Sequence, residues 1–145
     1  MKLLGLLSIA LALAFRADLA SAETVVGVWQ WQAPFVGQTS CIGQTIFMQN
    51  GSYSEQANCG GYMATQTGSY NISGGRLGRT VQDYEPKTHW VIDLCPGDSS
   101  RPGCGHYEQY AAPPGGVFSY AFVGNGSLQL TDIRTGGVLV LTRQR

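Results

Sequence analysis

Four tight-turn sequences, Asn50-Gly51-Ser52, Ser73-Gly74-Gly75, Gly124-Asn125-Gly126 and Thr135-Gly136-Gly137, each separate two short runs rich in alternating or β-branched side chains. Asn and Gly accept the positive φ that primed hairpin turns require, so each sequence folds the chain back antiparallel to itself. Helical periodicity is almost absent. Strands are expected over residues 25–32, 45–49, 53–56, 67–72, 76–84, 89–94, 117–123, 127–132 and 138–143, with a further short one at 106–110. The clearest is 117–123, where Phe118, Tyr120 and Phe122 share one face, Ser119 and Ala121 the other, and Leu128 and Leu130 continue the inner row. Sequential strands with short connections must dispose of their edges. The expected fold is therefore all-β, an antiparallel up-and-down meander closing into a small barrel of eight or nine strands, with a two-sheet sandwich as the competing arrangement.

Length and charge narrow the functional classes. The 145 residues include nine basic and nine acidic side chains, so there is no net charge with which to neutralise a nucleic-acid backbone. With 43% hydrophobic and 12% charged residues the chain is a single folded domain rather than a disordered one. Met1-Lys2, the apolar run 3–15 and the small residues Ala20-Ser21-Ala22 form the pattern of a secretory signal peptide over residues 1–22, leaving 23–145 as one β-barrel domain. The apolar run falls short of the roughly 20 residues a membrane-spanning helix needs. The expected destination is secreted or periplasmic, with no membrane association after cleavage.

Cys41, Cys59, Cys95 and Cys104 all lie beyond the leader, where an oxidising compartment favours disulfides. Three pairings are open to them. The turn-rich stretch between Cys95 and Cys104 makes that pair, and hence Cys41 with Cys59, the simplest. Spacings of 18, 36 and 9 do not match the paired Cys-x-x-Cys of a zinc ribbon, so no metal is expected on these thiols.

Gly27-Val28-Trp29 on the first strand and Thr142-Arg143 on the last resemble the calycin superfamily, the lipocalins and their fatty-acid-binding relatives. Phe47 to Tyr53, read as Phe-x-x-x-Gly-x-Tyr, and Gly68-Ser69-Tyr70 are similar to hairpins of small secreted lipocalin-like proteins. The resemblance implies that the Trp29 indole lies across the closed end of a barrel with Arg143 packed on it. A guanidinium over an indole contributes about 0.5–2 kcal/mol and ties the first strand to the last. Fatty-acid-binding relatives hold a carboxylate with a terminal Arg-x-Tyr. Here the stretch reads Arg143-Gln144-Arg145, so carboxylate capture is not implied.

The aromatic side chains Tyr53, Tyr70, Trp90, Phe118, Tyr120 and Phe122 are the candidates for lining a ligand cavity. His106 with Glu108, two apart on one strand face, and His89 with Asp93 are the only pairings that suggest acid–base or metal chemistry, and neither has a third partner placed by sequence. Asp83 and Glu85 read as solvated. Acceptor patterns for N-glycosylation occur at Asn50, Asn71 and Asn125, the first and last of which serve turns. No catalytic residue and no cofactor is assigned. The expected function is non-enzymatic binding of a small, partly apolar, lipophilic ligand. The alternative is a protein-interaction or hydrolase-inhibitor module built on the loop of residues 95–116, which opens at Cys95 and ends at Gly116.

Overall fold

Strands form where side chains alternate between an apolar and a polar face. They are β1 (Gly27–Pro34), β2 (Ser40–Phe47), β3 (Ser52–Cys59), β4 (Tyr62–Ser73), β5 (Arg76–Glu85), β6 (Thr88–Val91), β7 (His106–Gln109), β8 (Gly116–Phe122), β9 (Ser127–Asp132) and β10 (Val138–Arg143). The computed structural model describes residues 24–34, 40–91 and 105–145; the leader, Asp93, Cys95 and Cys104 lie outside them. No helix occurs among the described residues, and none there is long and apolar enough to cross a membrane.

Eight strands close into one antiparallel barrel in the order β1-β10-β9-β8-β5-β4-β3-β2. Neighbours in the barrel are neighbours in sequence except at two seams, β5 with β8 and β1 with β10. The remaining pair, β6 and β7, forms a separate two-stranded ribbon inserted between β5 and β8. Thus the stretch beginning at His89 is not a barrel stave. Three staves are longer than the sequence suggests: β2 starts at Ser40, β3 runs on to Cys59 and β4 starts at Tyr62, the last two joined by a turn at Gly60 and Gly61 with φ of 66° and 92°. Cys41 and Cys59 face each other in the β2–β3 register and form a disulfide.

The ends of the barrel differ. At one end Trp29, fully buried, donates its indole N–H to the Val25 carbonyl at 2.7 Å. The Arg143 guanidinium lies 4.3 Å from the indole centre and donates to the carbonyls of Val26, at 3.0 Å, and Thr24. Arg143 is the register partner of Trp29 across the β1–β10 seam, so one side chain both closes this end and clamps the seam. Trp29, Phe47, Tyr53, Leu77, Leu128, Leu130 and Leu141 fill the space above it, with Phe118, Tyr120 and Phe122 packed against them. An eight-stranded barrel is just wide enough for such side chains to occupy its whole section.

Toward the other end, the mouth, the inward residues shrink. Read across β1 to β4, one inward layer is Gly27, Phe47, Tyr53 and Gly68, and the next is Trp29, Thr45, Glu55 and Gln66. Above these come Trp31, Gly43, Ala57 and Ala64. Gly43 is required there because a Cβ on it would lie 2.1 Å from the Trp31 ring, so the indole lies directly on the backbone of β2. Trp31 covers β2, and Ala57 and Ala64 on β3 and β4 are left without a large side chain opposite.

Candidate ligand cavity at the barrel mouth

The uncovered alanines form the wall of a cavity of about 250 Å³. Its floor is Glu55 and Gln66, and Tyr62, Tyr84 and Tyr110 line its sides, with Pro86 and Pro113 at the rim. The cavity exists because the barrel wall is incomplete at this level: β8 pairs with β5 only over Arg76–Arg79, so the outer part of β5 has no strand beside it. The segment after β7 fills that gap. The Tyr84 hydroxyl donates to the Tyr110 carbonyl at 3.1 Å, and the Tyr110 N–H donates to the Lys87 carbonyl at 2.8 Å. A Cβ at Gly115 would come within 2.5 Å of the Arg79 carbonyl, which shows how closely this segment lies on β5.

Beneath the cavity lies a polar network. Arg79 and Glu55 form an ion pair at 3.0 Å with side chains only 11% and 14% exposed. The second carboxylate oxygen of Glu55 accepts from Gln66 Nε2 at 2.6 Å, and the first also accepts from Thr45 Oγ1 at 2.7 Å. Trp31 Nε1 donates in turn to Thr45 Oγ1 at 3.0 Å. The guanidinium is further held 4.6 Å from the centre of the Tyr53 ring and 5.7 Å from that of Phe118. A buried charge is tolerable only when paired and hydrogen-bonded in this way. The network separates the apolar core from the cavity and fixes Glu55 at the boundary.

Burial, and after it the neighbouring Tyr110 hydroxyl, pushes the Tyr62 phenol up to about 12, so this side chain stays neutral over the physiological range. Burial likewise raises Tyr70. Tyr53 is raised by burial, with Arg79 opposing.

Of the aromatic residues expected from sequence to line a ligand site, Phe118 borders a separate cleft with Arg79 and Pro114. Phe118, Tyr120, Phe122, Tyr53 and Tyr70 gather in the core of the closed half. Tyr70 packs edge-on to Phe47 at 4.9 Å and donates its hydroxyl to the Met48 carbonyl at 2.7 Å. Trp90 stands apart from them on β6, 46% exposed, and meets Tyr107 of β7 edge-on at 4.9 Å. None of these lines the mouth cavity. The signal that marks it is instead the small inward residues Gly43, Ala57 and Ala64, with Tyr62 at a position that sequence reading leaves outside any strand and Tyr84 at the end of one it expects.

His106 Nε2 and Glu108 Oε1 lie 2.9 Å apart on β7, both half-exposed, and neither lines the cavity. His89 stacks on Tyr110 at 4.2 Å, while Asp93 lies outside the described residues. Asp83 pairs with Lys87 at 2.5 Å on the surface, which lowers its pKa, and Glu85 borders the cavity. Asn50 accepts from the Ser52 N–H at 3.0 Å, as its turn requires. No protein-family model and no curated protein sequence matches the chain. The chemistry of the cavity is thus the guide to what it holds.

Proposed function

We propose that the protein is an exported, non-enzymatic barrel of lipocalin-like kind that holds one small, partly apolar molecule at its mouth. The observation that carries this reading is the cavity itself, an apolar wall of alanines and tyrosine rings over a floor of two fixed polar groups. Binding sites are commonly built in this way, with few polar groups orienting a mostly apolar body. Its volume lies below the roughly 300–1,000 Å³ of drug-sized pockets, so the molecule is about the size of a single ring with a short chain. The leader-like residues 1–22 and the Cys41–Cys59 disulfide support export to an oxidising compartment. The Gly27-Val28-Trp29 and Arg143 packing supports kinship with the lipocalins.

Trp31 reports on the floor through Thr45 and Glu55, so a panel of lipophilic probes followed by tryptophan fluorescence tests the reading. Saturable quenching at one site is expected, and Ala64→Phe, which fills the cavity, should abolish it. If no probe alters the fluorescence, or if the filled variant binds equally well, the cavity does not take a ligand.

The exposed pair Trp90 and Tyr107, the latter 70% accessible, favours a second reading in which the β6–β7 ribbon meets a partner protein such as a hydrolase. Loss of inhibition of a secreted hydrolase by Trp90→Ala, with probe binding intact, would select it.

A further inference from the structure

The outer wall of the barrel over β1 to β4 is free of charge. β1, β2 and β4 contain no Asp, Glu, Lys or Arg, and the one such residue of β3, Glu55, is turned inward to Arg79. Across the outward face Gln30 lies opposite Gln44, and Gln44 opposite Gln56. In the next row Ile42, Asn58 and Met63 are neighbours. All six side chains are exposed, and together they line an open hollow of about 290 Å³. The three glutamines form no hydrogen bond among the described residues, not even with one another, although neighbouring strands lie only about 4.8 Å apart. Asn58 accepts from the Gly61 N–H at 2.8 Å and keeps its own amide hydrogens to donate.

From this juxtaposition we propose that the hollow is a second binding site, for neutral sugar units of a polysaccharide chain. A free amide offers a donor and an acceptor side by side, the pairing that vicinal sugar hydroxyls present in return. Such amides surround Ile42 and Met63, on which the C–H face of a pyranose ring rests. The row from Gln30 to Gln56 spans about 10 Å, the length of roughly two linked pyranose rings, so a chain crossing the strands keeps successive sugars in reach. Other occupants lack a counterpart on this face. An acidic polymer or an anionic membrane needs bases, and β1 to β4 present none. Insertion into lipid needs a continuous apolar face, which the amides interrupt. A neutral polyhydroxyl chain requires neither.

Affinity electrophoresis of the purified protein through native gels containing dextran, laminarin or hydroxyethylcellulose, with alginate as the acidic counterpart, tests the proposal. At least one neutral polysaccharide should retard the protein, and alginate should not. Gln44→Ala combined with Gln56→Ala, both at exposed positions, should weaken the retardation about tenfold, as the loss of one or two net hydrogen bonds implies. Ala64→Phe, which fills the mouth cavity from inside, should leave it unchanged, so this site and the mouth cavity stand or fall separately. No retardation in any neutral gel, equal retardation of the parent and the double variant, or stronger retardation by alginate overturns the proposal. Retardation lost in folded Ala64→Phe places the sugar in the mouth and overturns it too. If sedimentation instead finds a dimer that the double variant abolishes, with no retardation, a second copy of the chain covers this face and no sugar does.

Discussion

Arg79 and Glu55 illustrate how one buried pair can serve two halves of a molecule. Packed between Tyr53 and Phe118, Arg79 belongs to the core, and Glu55 belongs to the cavity floor. Removing one partner leaves the other nearly buried and uncompensated. Arg79→Met should cost about 3 kcal/mol in chemical denaturation, and adding Glu55→Gln should restore part of it, because the cost lies in the unpaired charge. A loss in the double variant equal to the sum of the losses in Arg79→Met and Glu55→Gln alone would mean that the pair is not coupled. Tyr53 tests the adjacent position differently. Its hydroxyl is buried without a hydrogen-bond partner, so Tyr53→Phe should leave stability at neutral pH unchanged or raise it by up to about 1 kcal/mol. The sign at alkaline pH follows from its raised pKa. Above the ordinary value of 10.0 the unfolded chain loses its phenolic proton while the folded one keeps it, so stability falls as pH rises through that window. Melting curves of Tyr53→Phe should show a smaller alkaline loss than those of the parent.

At the scale of the strands, what the sequence shows and what it hides have a common cause. The strands β8, β9 and β10 are legible because Phe118, Tyr120, Phe122, Leu128, Leu130 and Leu141 alternate strongly and tight turns bound them. The mouth-side parts of β3 and β4 carry Ala57, Asn58 and Ala64, poor strand formers with little apolar contrast, so periodicity stops short of them. Those same small residues leave the cavity open. A site made by missing side chains gives a weak signal in one sequence, and the register that sets Trp31 opposite Gly43 cannot be read from either strand alone. Gly43 gives a direct test. Gly43→Ala puts a methyl group where the indole lies, and should displace Trp31, break its bond to Thr45, and cost about 1–3 kcal/mol. A red-shifted tryptophan emission should accompany the loss; unchanged emission and stability would show that the indole does not lie on that backbone.

The molecule as a whole is a barrel with unequal seams. β2, β3 and β4 run along one another over nearly their full lengths on the mouth side, and the Cys41–Cys59 disulfide joins two of them. At the closing seam Trp29–Trp31 of β1 lies against Leu141–Arg143 of β10, with one further backbone bond from the Gln144 N–H to the Val28 carbonyl at 2.9 Å. So short a ladder holds two sheet edges together only with help from side chains, and the Arg143 guanidinium supplies it through Trp29, Val26 and Thr24. Opening should therefore begin at this seam and leave the β2–β4 ladder intact, as local unfolding commonly starts where few contacts cross. Arg143→Ala removes the cation–π contact and both carbonyl bonds, for an expected loss of about 2–3 kcal/mol. Arg143→Lys, which keeps the charge but not the planar fork, should lose about half as much. Native-state hydrogen exchange distinguishes a clamp from a merely stabilising side chain. In Arg143→Ala the amides of β1 and β10 should exchange well before those of β3 and β4, whereas uniform acceleration across all strands would mean that the barrel opens without regard to its closing pair.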